Sequence, residues 1–138
     1  MKLVDVYTVP DAADVLWSLL AERGPHENIS HRKMPTLAEH MEFFNSRPYA
    51  AWYLVDVGQD DYAGAAYLTR LNEIGIAIQR RFRGFGYGRM ATLHLMDKHG
   101  PGRYLANVAP FNFVSQTMFA DIGAKLIQYT YELQVPRV

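Results

Sequence analysis

Cysteine is absent from all 138 residues. That excludes a disulfide framework, a thiolate zinc site and a cysteine nucleophile. It suits a cytoplasmic protein, which is the expectation, although many exported proteins also lack cysteine. An excess of one charge is missing as well. Fourteen Lys and Arg balance fourteen Asp and Glu, which counts against a general nucleic-acid binder, a class that usually carries a basic surplus. No apolar run approaches the ~18 residues of a membrane helix, and Met1-Lys2-Leu3-Val4-Asp5 opens no signal peptide, so no membrane partner is expected. Repeats, low-complexity tracts and Pro/Gly/Ser linkers are also missing. Residues 1–138 therefore read as one domain.

What is present suits a packed core. Hydrophobic residues make up 49% of the chain and charged ones 20%, with seven Phe, nine Tyr and two Trp. That composition supports a folded core without metals or disulfides.

Residues 3–9 are β-branched and aromatic and predict a strand stopped by Pro10. Asp11 can cap a helix bearing Leu16, Leu19 and Leu20 on one face, ended by Gly24-Pro25. Thr36 and Glu39 form a capping-box pattern ahead of Leu37, His40, Met41 and Phe44 at helical spacing, and Pro48 closes that helix. The next three strands are predicted over 50–57, 62–69 and 72–79, the first two joined by the turn residues 58–61. After a basic, Gly-rich segment, Met90, Leu93 and Met96 mark a third helix, stopped by residues 100–102. Residues 104–109 are strand-like. Asn112 caps a fourth helix with Val114, Met118 and Ile122 at i, i+4, i+8, and Gly123 is its natural stop. Leu126–Val135 predicts a last strand. The order β-α-α-β-β-β-α-β-α-β implies a mixed α/β domain with a mostly antiparallel central sheet flanked by helices.

The segment Gln79-Arg80-Arg81-Phe82-Arg83-Gly84-Phe85-Gly86-Tyr87-Gly88-Arg89 is the most informative in the chain. It lies between a strand and a helix, where backbone N–H groups and the helix N-terminus can face an anion. Glycines 84, 86 and 88 allow close approach of a phosphate, and Arg81, Arg83 and Arg89 add positive charge. The alternative is a surface turn with solvated arginines. The dinucleotide fingerprint fails because the residue three after Gly86 is Arg89, and no Gly-Lys-Ser/Thr is present for a P-loop. Arg83-Gly84-Phe85-Gly86 matches the first half of an RNA-recognition signature, but Tyr87-Gly88-Arg89-Met90 misses its second half.

Arg83-x-x-Gly86-x-Gly88 resembles the Gln/Arg-x-x-Gly-x-Gly/Ala signature of the GCN5-related N-acetyltransferase family; Arg81-x-x-Gly84-x-Gly86 fits in a second register. A later block, Asn112, Ser115, Phe119 and Gly123, is similar to that family's Asn-x-x-Ser-x-x-x-Tyr-x-x-x-Gly helix. The two blocks stand in the expected order and the element order agrees over almost the whole chain. The resemblance implies binding of acetyl-CoA between the fourth and fifth strands. Backbone groups of Ile76, Ala77 and Ile78 would pair with the pantetheine arm. Amides of Arg83, Gly84, Phe85, Gly86, Tyr87, Gly88 and Arg89 would hold the pyrophosphate, and Asn112 and Ser115 would line the other side. It further implies acetyl transfer to the primary amine of a small acceptor, with a backbone amide of residues 76–78 stabilising the oxyanion.

Such a transfer needs a neutral amine and therefore a proton acceptor. Glu73, upstream of the Gly-rich loop, stands where some relatives carry a catalytic Glu; a strand Glu paired with Arg or facing solvent is the plain alternative. His31, in the loop between the first two helices, is the second candidate, against an ordinary surface histidine. The other histidines lack metal-ligand spacing, so no metal is expected. Tyr49, Trp52, Tyr53, Tyr67, Tyr129 and Tyr131 read mostly as core or strand residues, of which one or two would line an acceptor pocket, and Tyr131 is an alternative proton donor. Residues 29–31 and 129–133 resemble the branch of the family that acetylates amino sugars.

Two departures stand out. Phe119 replaces the family's Tyr, a proton donor to the leaving thiolate, and Phe cannot donate. One strand follows Gly123 where many relatives have two, so the sheet edge is either short or completed by a second copy in a homodimer. Phe119 keeps open a module that binds acyl-CoA without catalysis; an RNA-binding domain is the third reading.

Overall fold

The computed structural model describes residues 1–22, 34–59 and 61–136. Its centre is a five-stranded sheet in the order β1-β2-β3-β4-β5: β1 Lys2–Asp5, β2 Ala51–Gly58, β3 Asp61–Leu68, β4 Glu73–Ile78 and β5 Leu105–Ala106. The first four strands pair antiparallel and β5 joins β4 in parallel. Among the described residues four helices accompany them, α1 Ala12–Glu22, α2 Leu37–Asn45, α3 Tyr87–His99 and α4 Phe113–Asp121. The expected mixed α/β architecture is thus present.

Strand alternation divides the core in two. Leu54 and Ala65 face Val6, Ala12, Leu16 and Leu19, with Trp52 and Phe44 packed alongside. Ala66, Leu68, Ile74 and Tyr53 face Leu95 of α3 on the opposite side. The capping box of α2 is as expected: Thr36 Oγ1 accepts from Glu39 N–H at 3.1 Å, and Glu39 Oε1 accepts from Thr36 N–H at 2.8 Å. Two of the free donors at that helix start are thereby satisfied.

Three strand expectations are corrected. The first strand ends at Asp5 rather than Val9, because the Asp5 carboxylate accepts from Tyr7 N–H at 2.8 Å and its carbonyl from Thr8 Oγ1 at 2.7 Å. These local bonds coil Val6–Thr8 into a 3-10 turn. The strand expected over 104–109 shrinks to Leu105–Ala106, because β5 parts from β4 after two residue pairs. The strand expected over 126–135 pairs with no strand of the sheet. A strand needs a ladder to join, and this segment leaves α4 without meeting one.

Candidate active site

The parting of β4 from β5 makes the site. The ladder pairs Glu73 with Leu105 and Ile74 with Ala106, then stops. On its other edge β4 stays paired with β3 through Ile78. Thr69 N–H donates to Glu73 O at 2.9 Å and Gln79 N–H to Ala63 O at 2.8 Å. Antiparallel ladders alternate, so these two bonds fix the phase: residues 73, 75, 77 and 79 turn their backbone groups to β3. Ile76 and Ile78 turn theirs to the open side. The expectation for Ile76 and Ile78 agrees with this phase, whereas Ala77 is corrected: its backbone groups face β3. Arg83 Nε donates to Ile78 O at 3.1 Å, so at Ile78 the N–H is the group left for a ligand.

A cavity of about 560 Å³ passes through the gap. Ile74 and Ile76 border it from the α3 face of β4, Gly75 and Ala77 from the α1–α2 face. Asn107, Val108 and Ala109 form the wall beyond β5, with Asn112, Ser115 and Phe119 of the following cap and helix. Asn112 Oδ1 accepts from Ser115 N–H at 3.2 Å, so Asn112 is the helix cap the sequence suggests and a lining residue as well.

The Gly-rich turn sits at the end of β4. Gly88 lies against Ile76, Ile78 and Met118: a Cβ there would lie 3.8 Å from the first two and 4.0 Å from the third. Gly84 and Gly86 have φ of 87° and 81°, a region that L side chains rarely adopt. Gly86 is the N-cap of α3, and the first bond of that helix is Met90 N–H to Gly86 O at 3.0 Å. Among the described residues the amides of residues 84–89 therefore have no backbone acceptor, and α3 adds its positive end. Arg83 is corrected here: its amide already donates to Arg80 O at 3.1 Å. Arg81 is paired with Asp61 at 2.8 Å, while Arg89 is exposed. An open row of donors at a helix start fits a pyrophosphate. The same residues form a turn and a helix start, not the strand that an RNA-recognition signature requires.

Glu73 is held behind the cavity wall. Its Oε1 accepts from Thr69 Oγ1 at 3.2 Å and its Oε2 from Asn107 Nδ2 at 2.6 Å. Asn107 borders the cavity and Glu73 does not. Because the carboxylate accepts from the Asn107 amide nitrogen, Asn107 Oδ1 is left to face elsewhere. His31 lies outside the described residues.

The far end of the cavity is aromatic. Tyr49 and Tyr67 stack with centroids 4.0 Å apart, and Trp52 meets Tyr49 edge-on at 4.8 Å. Phe43 closes the group, 5.7 Å from Tyr49. Gly75 makes the stack possible, since a Cβ there would fall 2.0 Å from the Tyr67 ring. Tyr53 belongs to the other face: its hydroxyl meets His99 Nε2 at 2.8 Å, and burial, with Asp5 adding, holds its phenol above its usual pKa.

His40 also borders this end, and it is a residue that sequence reasoning passed over. It is 3% exposed, and its Nε2 bonds Ala13 O at 2.9 Å. A carbonyl only accepts, so Nε2 carries a proton. At the sequence level His40 is one more member of a helical face, and nothing in its spacing marks it.

No model of a known protein family matches this sequence, and no curated protein sequence does either. Solved structures do match by fold. A domain from Methanocaldococcus jannaschii aligns over 95% of this chain and 92% of its own, with a TM-score of 0.77 at 18% identity. A spermidine N-acetyltransferase chimera from Vibrio cholerae and hSSAT aligns over 89% and 81%, at 0.69 and 15%. The putative acetyltransferase YncA from Salmonella typhimurium, solved with its cofactor acetyl-CoA, aligns over 88% and 76%, at 0.63 and 12%. The fold is that of the GCN5-related N-acetyltransferases.

Proposed function

We propose that this chain is a GCN5-related N-acetyltransferase that moves acetyl from acetyl-CoA to the primary amine of a small molecule. The observation that carries the proposal is the conjunction at β4. An unpaired strand edge, a turn whose amides have no backbone acceptor among the described residues, and a cavity lined from both faces of the sheet meet within residues 76–89. The pantetheine arm would add to the edge at Ile76 and Ile78, and the pyrophosphate would rest on the amides of residues 84–89. Acetyl-CoA supplies the thioester.

The chain's own groups account for the rest of the chemistry. The amine approaches from the aromatic end, where the Tyr49–Tyr67 stack, Trp52 and Phe43 hold the body of the acceptor. An ammonium there is attracted to ring faces, but it must lose a proton before its nitrogen can bond the acetyl carbon. His40 and, through a water beyond the wall that Asn107 forms, the Glu73 carboxylate are the candidate proton acceptors, Glu73 also setting the orientation of Asn107. The N–H of Ile76 or Ile78 donates to the oxygen that becomes negative as the new C–N bond forms. The C–S bond then breaks, the new amide nitrogen gives its second proton to water, and the thiolate takes a proton from water, because Phe119 offers none. The amino-sugar branch gains no support: residues 29–31 lie outside the described residues, and Tyr129–Leu133 do not border the cavity.

Phe119 at the cavity wall favours one second reading, a module that binds acyl-CoA and does not turn it over. Thiol release decides between the two. With acetyl-CoA and a panel of polyamines, aromatic amines and amino sugars, the enzyme reading expects release of free CoA with at least one acceptor. Saturable acetyl-CoA binding with no release across the panel would establish the module.

A further inference from the structure

In the proposed reaction the acetyl oxygen meets β4 at Ile76 or Ile78. The residue just before Ile76 is covered by a ring. Tyr67 pairs with Gly75 across the β3–β4 ladder, and its ring lies over that glycine so closely that a Cβ would enter it. An aromatic wall therefore begins one residue from Ile76. Tyr49 lies on Tyr67 with the planes 9° apart, and Trp52 and Phe43 stand edge-on to Tyr49 at 86° and 79°. Phe43 also meets Trp52 edge-on, with centroids 6.0 Å apart. Every ring is braced by another, so the wall is built in advance and little ordering is needed when a ligand arrives.

Charge is scarce at this end. Among the described residues that border the cavity there is no lysine or arginine, and Glu39 is the one carboxylate. Its Oε1 accepts from Thr36 N–H in the capping box at 2.8 Å. Leu16, Leu19, Leu20 and Met34 extend the apolar lining. The sequence between α1 and Met34 adds Arg23, Arg32 and Lys33 against Glu27, which is no acidic surplus. A polycation needs a carboxylate for each ammonium that leaves water, because an unpaired buried charge is expensive. An amino sugar needs partners for several hydroxyls. A lining of one carboxylate and mostly apolar groups suits a ligand with one charge and a flat, apolar remainder.

We infer that the acceptor is an arylalkylamine, a primary amine joined by a short alkyl link to an aromatic ring; the inference rests on the acetyltransferase reading. The ring seats against Tyr49, Tyr67, Trp52 and Phe43, and the nitrogen reaches past Gly75 to the thioester. The link is short because the wall starts beside Ile76. The C–N bond forms and the C–S bond breaks. Neutral amine and thioester become an N-acetyl arylalkylamine and a free thiol, one proton passing from nitrogen to sulfur through water.

Titration calorimetry separates this inference from the reading it rests on, because it needs no turnover. 2-Phenylethylamine, ethylamine, spermidine and glucosamine are each titrated into the protein with CoA in excess. 2-Phenylethylamine should bind about tenfold or more tightly than the other three, the gain expected from burying a phenyl ring. Equal or tighter binding of spermidine or glucosamine, or no gain from the ring over ethylamine, would overturn the inference and leave acetyl transfer untouched. Thiol release from acetyl-CoA tests the reaction separately. Its absence with every amine, beside ring-dependent binding, would count against acetyl transfer and not against the preference for the ring. Phe43→Ser removes a ring that is 39% exposed, so the variant should fold normally by circular dichroism. It should bind 2-phenylethylamine about fivefold more weakly and keep its affinity for ethylamine and acetyl-CoA. Undiminished 2-phenylethylamine affinity in both Phe43→Ser and Trp52→Leu would refute the seat.

Discussion

Replacing Gly86 with alanine should damage stability and coenzyme binding together, and a matched control can separate the two. Gly86 has φ 81° and ψ 12°, the left-handed region, where an L residue costs about 1–2 kcal/mol. A Cβ there meets nothing within 4 Å, so no clash adds to the strain. Unfolding entropy scales with length at about 2.1 cal/mol/K per residue, so for this chain the loss corresponds to a midpoint about 3–7 °C lower. Gly100, the C-cap of α3, is the control. Its φ of 89° and ψ of −175° also demand glycine, and a Cβ there also meets open space. Gly100→Ala should cost about 1–3 kcal/mol of stability, yet it stands at the opposite end of the helix from the turn. For acetyl-CoA the two variants should part. Displacing one amide from a charged phosphate oxygen forfeits about 1.5–3 kcal/mol, at least a tenfold rise in Kd. Thermal melts and isothermal titration on both proteins read the two effects. A Kd that changes equally in the two variants, or in neither, would refute the assignment of the turn.

Other perturbations probe the remaining parts. Gly75→Ala would press a methyl into the Tyr67 ring, which Tyr49 backs at 4.0 Å. It should cost about 1–3 kcal/mol of stability, read by denaturant titration, and raise the acceptor KM more than that of acetyl-CoA. Thr36→Ala removes half of the α2 capping box and should lower unfolding free energy by about 1 kcal/mol. Glu73→Gln should lower kcat with little change in coenzyme affinity, and Asn107→Ala should do the same, because the 2.6 Å bond between them makes the two act as a unit. If the double variant is slowed by the full product of the single effects, the pair is not coupled.

The parts of this molecule that follow local rules were legible before any coordinates. Thr36 and Glu39 signal a helix start through a bond pattern written in four residues, and Asn112 does the same for α4. The glycines at 84, 86 and 88 mark a turn where the backbone can approach an anion, and the first two have positive φ. What escaped the sequence is set by tertiary geometry. Nothing local says that β5 leaves β4 after two residues, and that parting decides which of Ile76, Ala77 and Ile78 faces a ligand. Tyr49, Trp52 and Tyr67 look like core aromatics until the cavity separates them from Tyr53. His40 is hidden within an amphipathic pattern. Ile127–Val135 shows the opposite failure: its alternation predicts a strand, while the segment joins no strand of the sheet.

The central claim is that acetyl-CoA lies along the open edge of β4 with its pyrophosphate on the turn before α3. A ¹⁵N amide-resonance titration of the labelled protein tests binding and location at once. The account predicts saturable shifts concentrated at the amides of Gly84 through Arg89, Ile76 and Ile78, with adenosine diphosphate moving the turn amides and leaving Ile76 in place. No shift at saturating acetyl-CoA, or shifts that leave both the turn and β4 untouched, would contradict it.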